Sequence, residues 1–303
     1  MAREQLGICA EANLHGCYLF LNAQEGHEPI LRNKLARLPS IFDRLAEHFS
    51  ESMLTGVVAI GSNYWDLLYP DARPAGFTPF PDTQSVDIEM AAMPIDLFIQ
   101  IRSDRQDVNF IACQQVLQLL QGDVEIQDMI NAFRYLDGRN LTGFIDSQTN
   151  PKGRLKRQVA LVDESVQPLF SGGSYLYVQQ IVMDLSGWQH LNVAQQEAIM
   201  GVSKVSGQPL TPPLDASSAS AATAATAEYL LQQNMPYAQL KQQGSVEVSY
   251  AANAEVLHKR LMTRLTDTEL TDKYDQLLNY YQFAFSAAFF APSVSFLELA
   301  AKH

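Results

Sequence analysis

Along the first half of the chain the spacing of apolar positions alternates between the periods of strands and of helices. The run from His15 to Asn22 (HGCYLFLN) is short, aromatic and suited to a strand. Leu31, Leu35, Leu38, Phe42, Leu45 and Phe49 then recur at steps of three and four, which predicts a helix with one face on the core. Pro39 lies inside that stripe and removes one amide donor, so a kink or break is expected there. LTGVVAI, from Leu54 to Ile60, predicts a buried strand. In the strand after it Ile95, Leu97, Ile99 and Ile101 share one face, with Phe98 on the other. Val108, Ile111, Ala112, Val116, Leu119 and Leu120 form the cleanest helical stripe in the chain. Val124, Ile126 and the Met129–Ile130 pair close the half with a strand. The resulting order, β-α-β-β-α-β, is that of a ferredoxin-like unit.

The second half repeats this order more loosely. Tyr175–Met183 reads as a strand and Trp188–Met200 as a helix. Tyr229–Gln233 and Val246–Tyr250 read as strands, Asn253 as the N-cap of a helix through Leu265, and Tyr280–Phe290 as the last apolar stretch. The expected fold class is therefore α+β, with two ferredoxin-like domains spanning residues 1–140 and 141–303. Between them, Asp137–Gly153 is rich in turn residues and is expected to be a functional loop. Gly172–Gly173 reads as a strand-entry turn, because a strand and not a helix follows. Ala216–Ala227 has no aliphatic anchors and reads as low complexity.

Composition narrows the partners. The 303 residues carry 21 Lys+Arg against 33 Asp+Glu, a net charge of −12, which argues against nucleic acid or an anionic membrane as a ligand. No apolar run is long enough to span a bilayer, and the N-terminal segment lacks the apolar core of a signal peptide. Three cysteines, Cys9, Cys17 and Cys113, argue against a disulfide framework and for a reducing compartment, so a cytoplasmic location is expected. Nucleotide-binding, nucleophile-elbow and zinc motifs are missing, and the six histidines have no metal-ligand spacing to one another.

One loop carries a specific signal. Leu141–Pro151 (LTGFIDSQTNP) resembles the G-F-x-D-G-x-x-N-P motif of the dye-decolourising (DyP-type) haem peroxidase family. VVAIGSNYWDLLYP, FRYLDGRNLTGF, GGSYLYVQQIVMDLSGW, QNMPY and FFAPSVSFLE resemble bacterial intracellular members of that family too, so the similarity runs nearly end to end. The resemblance implies two ferredoxin-like domains of the dimeric α+β barrel kind, with haem held by the C-terminal one. It also implies peroxide-driven oxidation of dyes, phenols or porphyrins, and a homodimer or larger homo-oligomer. Asp146 corresponds to the distal aspartate that is proposed to move the peroxide proton. On its own, Asp146 is equally an Asx-type turn residue ahead of Asn150–Pro151.

Against the same pattern, several positions depart. The proximal histidine's place falls at or beside Ser217, and no histidine lies between His190 and His258. The distal arginine, two residues before N-M-P, is Gln232, and a second arginine of the family becomes Ala252. The glycine after the motif aspartate is Ser147, and the small polar positions before F-F-x-P-S read Phe285, Ser286 and Ala287. Phe285 and Phe289 are expected to fill part of the pocket. The residues thus lead to no expected cofactor, although haem is what the resemblance implies. They describe a pseudoperoxidase acting as a binding or assembly module, with an active paralogue as a second candidate partner. The alternatives are an active DyP-type peroxidase with an unusual axial ligand, for which His258 is nearest in sequence, and an iron-free enzyme using Asp146.

Overall fold

The computed structural model describes residues 2–81, 83–85, 88–90, 92–146, 149–210, 230–239, 242–265 and 275–302. In the first half, β1 (His15–Ala23), α1 (Glu28–His48), β2 (Thr55–Gly61) and the short α2 (Trp65–Leu68) are followed by a small hairpin, β3 (Thr83–Ser85) and β4 (Ile88–Met90). Then come β5 (Leu97–Ser103), α3 (Gln106–Leu120) and β6 (Val124–Phe133). The second half contains α4 (Arg154–Ala160), β7 (Ser174–Met183), α5 (Leu185–His190), α6 (Val193–Met200), β8 (Leu231–Gln232) and β9 (Met235–Ala238). β10 (Gln243–Ala251), α7 (Ala254–Leu265), β11 (Tyr281–Ala291) and α8 (Val294–Ala300) complete it.

Both halves have the antiparallel ferredoxin-like strand order, and they merge into one sheet running β6-β1-β5-β2-β11-β7-β10-β8, with β9 paired to β10. The seam is short: Phe289 pairs with Gly61 and Phe290 with Ile60. The sheet curls until β6 lies beside β9. Its concave face encloses an inner core of Tyr18, Phe20, Val57, Phe98, Val178, Val248 and Phe289, while its outer face packs on the helices. In the first half the outer residues are Cys17, Leu19, Leu21, Val58, Ile60, Leu97, Ile99 and Ile101, sealed by α1 and α3. At the head of β7, Gly172 has φ +73°, and a Cβ on Gly173 would lie 2.6 Å from the Phe290 ring, so the strand-entry turn requires both glycines.

Three expectations change. α1 continues through Pro39 as one helix, because Leu31, Leu35, Leu38, Phe42 and Leu45 hold both sides of the proline on the core. The helix expected from Trp188 to Met200 is two helices. The second is opened by a capping box in which Asn192 and Gln195 each satisfy the other's backbone N–H. β9 was not foreseen: Pro236 interrupts its amide pattern, yet the residue still pairs opposite Ser245. The Ala216–Ala227 segment lies outside the described residues.

Candidate functional site

The motif loop is held from several sides. Phe144 is fully buried against Trp188, whose Nε1 donates to the Thr142 carbonyl at 3.1 Å. Arg139 Nη1 donates to the carbonyls of Gly143, at 2.8 Å, and Lys204, at 2.7 Å. The Asp146 amide donates to Gly138 O at 3.0 Å. Farther along, Asn150 clamps the backbone of Gln232 in both directions. Its Nδ2 donates to Gln232 O at 2.6 Å, and its Oδ1 accepts from Gln232 N at 2.9 Å. The asparagine of the motif therefore fixes β8 beside the aspartate, and Asp146 and Gln232 line one cavity of about 700 Å³.

Next to this loop, the outer face of the second half sets polar side chains among the apolar Tyr175, Ile181, Phe283 and Phe290. Ser249 pairs opposite Gln232 across β10 and β8. On β7 the Gln179 amide donates to Ser286 Oγ at 3.0 Å. Arg264 of α7 donates from Nε to Asp275 Oδ2 at 3.0 Å and from Nη1 to Glu247 Oε2 at 3.4 Å, in a nearly buried cluster. Burial, reinforced by Arg264, lowers the Arg260 guanidinium to about 10. Tyr281 sits in the same field. Burial first, then the carboxylates of Glu247, Asp275 and Asp146, push its phenol far above the ordinary range, so it stays neutral.

The residues singled out in the sequence are not all brought together. Asp146 and Gln232 share the first cavity. Ala252 lines a second, of about 650 Å³, where the exposed imidazole of His258 stands with Phe77, Tyr177 and Ala288. Phe285 lines neither, which corrects the expectation that it fills the pocket. The register of β11 against β7 shifts between Phe283 and Phe285, a bulge that reverses the alternation of faces. Phe285 consequently turns into the barrel, 4.5 Å from Phe20 ring to ring, and Ser286 takes the outer face. Ala287 belongs to the inner core as well, and so does Phe289, which also reaches the wall of the second cavity. Ser147 and Ser217 lie outside the described residues.

Among the described residues no histidine lines the cavity that holds Asp146. Among the described residues His258 is the one histidine lining either cavity, and it stands in the cavity without Asp146. His190 is exposed on α5, with Nδ1 engaged to Ser186 O. Tyr281, a neutral phenol, is a poor axial donor. Gln232 offers an amide where a full positive charge would oppose a developing anion.

The Glu247–Arg264–Asp275 cluster escaped the sequence reading, although Glu247 is the one charge inside the alternating strand SVEVSY. Arg102 escaped it as well. The signal was the second face of β5, where Phe98, Gln100 and Arg102 grow steadily more polar.

Residues 5–134 match the family model for the Dyp-type peroxidase N-terminal region, and residues 137–296 match that for the Dyp-type peroxidase C-terminal region. The chain is similar to the structure of a dyp-type peroxidase protein from Shewanella oneidensis, at 36% identity and a TM-score of 0.94 over 99% of each chain. A dye-decolorizing peroxidase of Mycolicibacterium paratuberculosis is 27% identical over 93% of this chain and 81% of its own length. A variant of DypB from Rhodococcus jostii RHA1, solved in complex with haem, is 25% identical, with a TM-score of 0.89 over 95% of this chain and 96% of that one.

Proposed function

The chain belongs to the Dyp-type peroxidase family, and within it we propose that this protein is a pseudoperoxidase, a binding or assembly module that has kept the fold and relinquished ordinary haem ligation. The observation that carries the reading is Gln232. The Asn150 clamp holds its backbone in the cavity beside Asp146, and at that position the family resemblance calls for a cationic side chain. The histidine-free stretch from residue 191 to 257 supports it from the sequence side. No described helix is long and apolar enough to cross a membrane. The proposed module acts in the cytoplasm as a homodimer or larger assembly, alone or with an active paralogue, a reading supported by the family resemblance rather than by the fold.

The test is an absorbance spectrum of protein produced with excess haem precursor, followed by peroxide-driven oxidation of a dye or phenol. The expected outcome is no stoichiometric histidine-ligated spectrum. Turnover should be no greater than that of free haem, since loss of one preorganised donor commonly costs about two to three orders of magnitude. A stoichiometric complex with turnover well above that control overturns the reading. It would favour the second one, an active peroxidase with an unusual axial ligand, for which His258 at the wall of the second cavity is the candidate.

A further inference from the structure

The cavity of about 700 Å³ beside Asp146 opens at the mouth of the barrel, and its charge does not follow that of the protein. In a chain of net charge −12, its described lining carries five cations, Arg102, Arg134, Arg139, Lys152 and Lys156. Only three carboxylates oppose them: Glu11, Asp137 and Asp146. Arg134 and Lys152 are exposed at the rim, and Lys156 pairs with Glu11 at 2.7 Å.

Arg102 is the unusual member. It is only 4% exposed, and it comes from the inner face of β5 among Tyr18, Gln100 and Tyr250. Its Nη1 donates to Gln233 Oε1 at 2.7 Å, its Nη2 approaches Glu11 O at 3.5 Å, and its Nε has no partner. Among the described residues no carboxylate pairs with it. Gln233 cannot take the charge either. Its oxygen also accepts from Gln100 at 2.7 Å, and its amide nitrogen is spent on the carbonyls of Gly7 and Ile8. A guanidinium is always charged, and burying one without an anion is costly, so such a residue is retained where an anion visits it. The Asn234 amide lines the same space with its oxygen buried and unpartnered. Leu231, Met235 and Ile145 supply an apolar wall.

We propose that this cavity binds a small organic anion, a carboxylate with an apolar body, anchored by Arg102. The planar fork of the guanidinium matches a carboxylate, and the rim cations draw the anion towards a protein that otherwise repels it. The apolar wall and the volume favour a body larger than an inorganic oxyanion. The inference rests on reading the chain as a binding module and names the ligand class of that module.

The experiment is isothermal titration of the full chain with benzoate, benzyl alcohol and inorganic phosphate, with haem absorbance recorded on the same preparation. Benzoate is expected to bind at least ten-fold more tightly than either control. Arg102→Met is expected to weaken it by about ten- to a hundred-fold, the range for loss of a charged hydrogen-bond partner. Should Arg102→Met fail to fold, the near-isosteric Asn234→Asp places a negative charge in the lining and is expected to abolish benzoate binding. Equal binding of benzyl alcohol or of phosphate overturns the proposal, as does benzoate binding that survives Asn234→Asp. Haem uptake with turnover in that preparation would sink the pseudoperoxidase reading alone, whereas absent benzoate binding in haem-free protein sinks the anion site alone.

Discussion

The two halves of the sheet share a strand order but differ in how many polar side chains they place on the face turned towards the helices. In the first half that face is apolar along β1, β2 and β5, Leu19, Val58, Leu97 and Ile99 among others, and α1 and α3 close over it. In the second half the equivalent face intersperses Gln179, Ser249, Ser286 and Glu247 among the apolar Tyr175, Ile181, Phe283 and Phe290, with Arg264 and Asp275 completing a buried ion cluster. A fold alone requires only the first solution. Buried polar side chains cost desolvation and must be satisfied one by one. Their concentration beside the motif loop sets the second half apart from the first, where aliphatic packing alone makes stability.

That contrast can be broken most forcefully at Arg264. Replacing it with Met removes the cation that bonds Glu247 and Asp275 directly, leaving Arg260 as the positive charge near them, and the expected loss is about 3 kcal/mol in chemical denaturation. A negligible loss would mean that the polar face is solvated rather than sealed. In the first half, Ile99→Ala removes a fully buried side chain between the sheet and its helices. The expected cost there is about 3 kcal/mol by the same measurement, from packing alone. The smallest effect sharpens the comparison. Gln179→Leu with Ser286→Ala removes both partners of one hydrogen bond, so stability should change by less than about 1 kcal/mol. A larger loss would show that this polar pair supports the fold rather than being carried for function.

Legibility in the sequence follows the same division. The main strands and the helices α1 and α3 of the first half could be read closely, since the helices declare one apolar face at one period and the strands are short apolar runs. The hairpin from Thr83 to Met90 could not, because strands of three residues have no periodicity to detect. In the second half, Asp146 was found through its motif. Phe285 was misplaced because YQFAFSAAFF mixes aromatic and small residues on both faces, and a bulge leaves no composition of its own. The Arg264 cluster and Arg102 join residues far apart in sequence, and partners of that kind become visible only once the strands have been laid side by side.

The seam between the halves has a consequence in time. β2 ends at Gly61, and the strand that covers its edge, β11, begins at Tyr281. At about 5–20 residues per second, a ribosome needs roughly 10–45 s to supply that strand after β2 has emerged. Throughout that interval the first half can assemble its own four strands and two helices, and Gln5 already engages the Val58 amide and carbonyl, but the Ile60–Gly61 end of β2 must wait open, and an open edge recruits strands from other chains. The newborn protein is therefore most vulnerable to aggregation not while its hydrophobic helices are forming but while it waits for its penultimate element, and a truncation anywhere before Tyr281 would make that waiting state permanent.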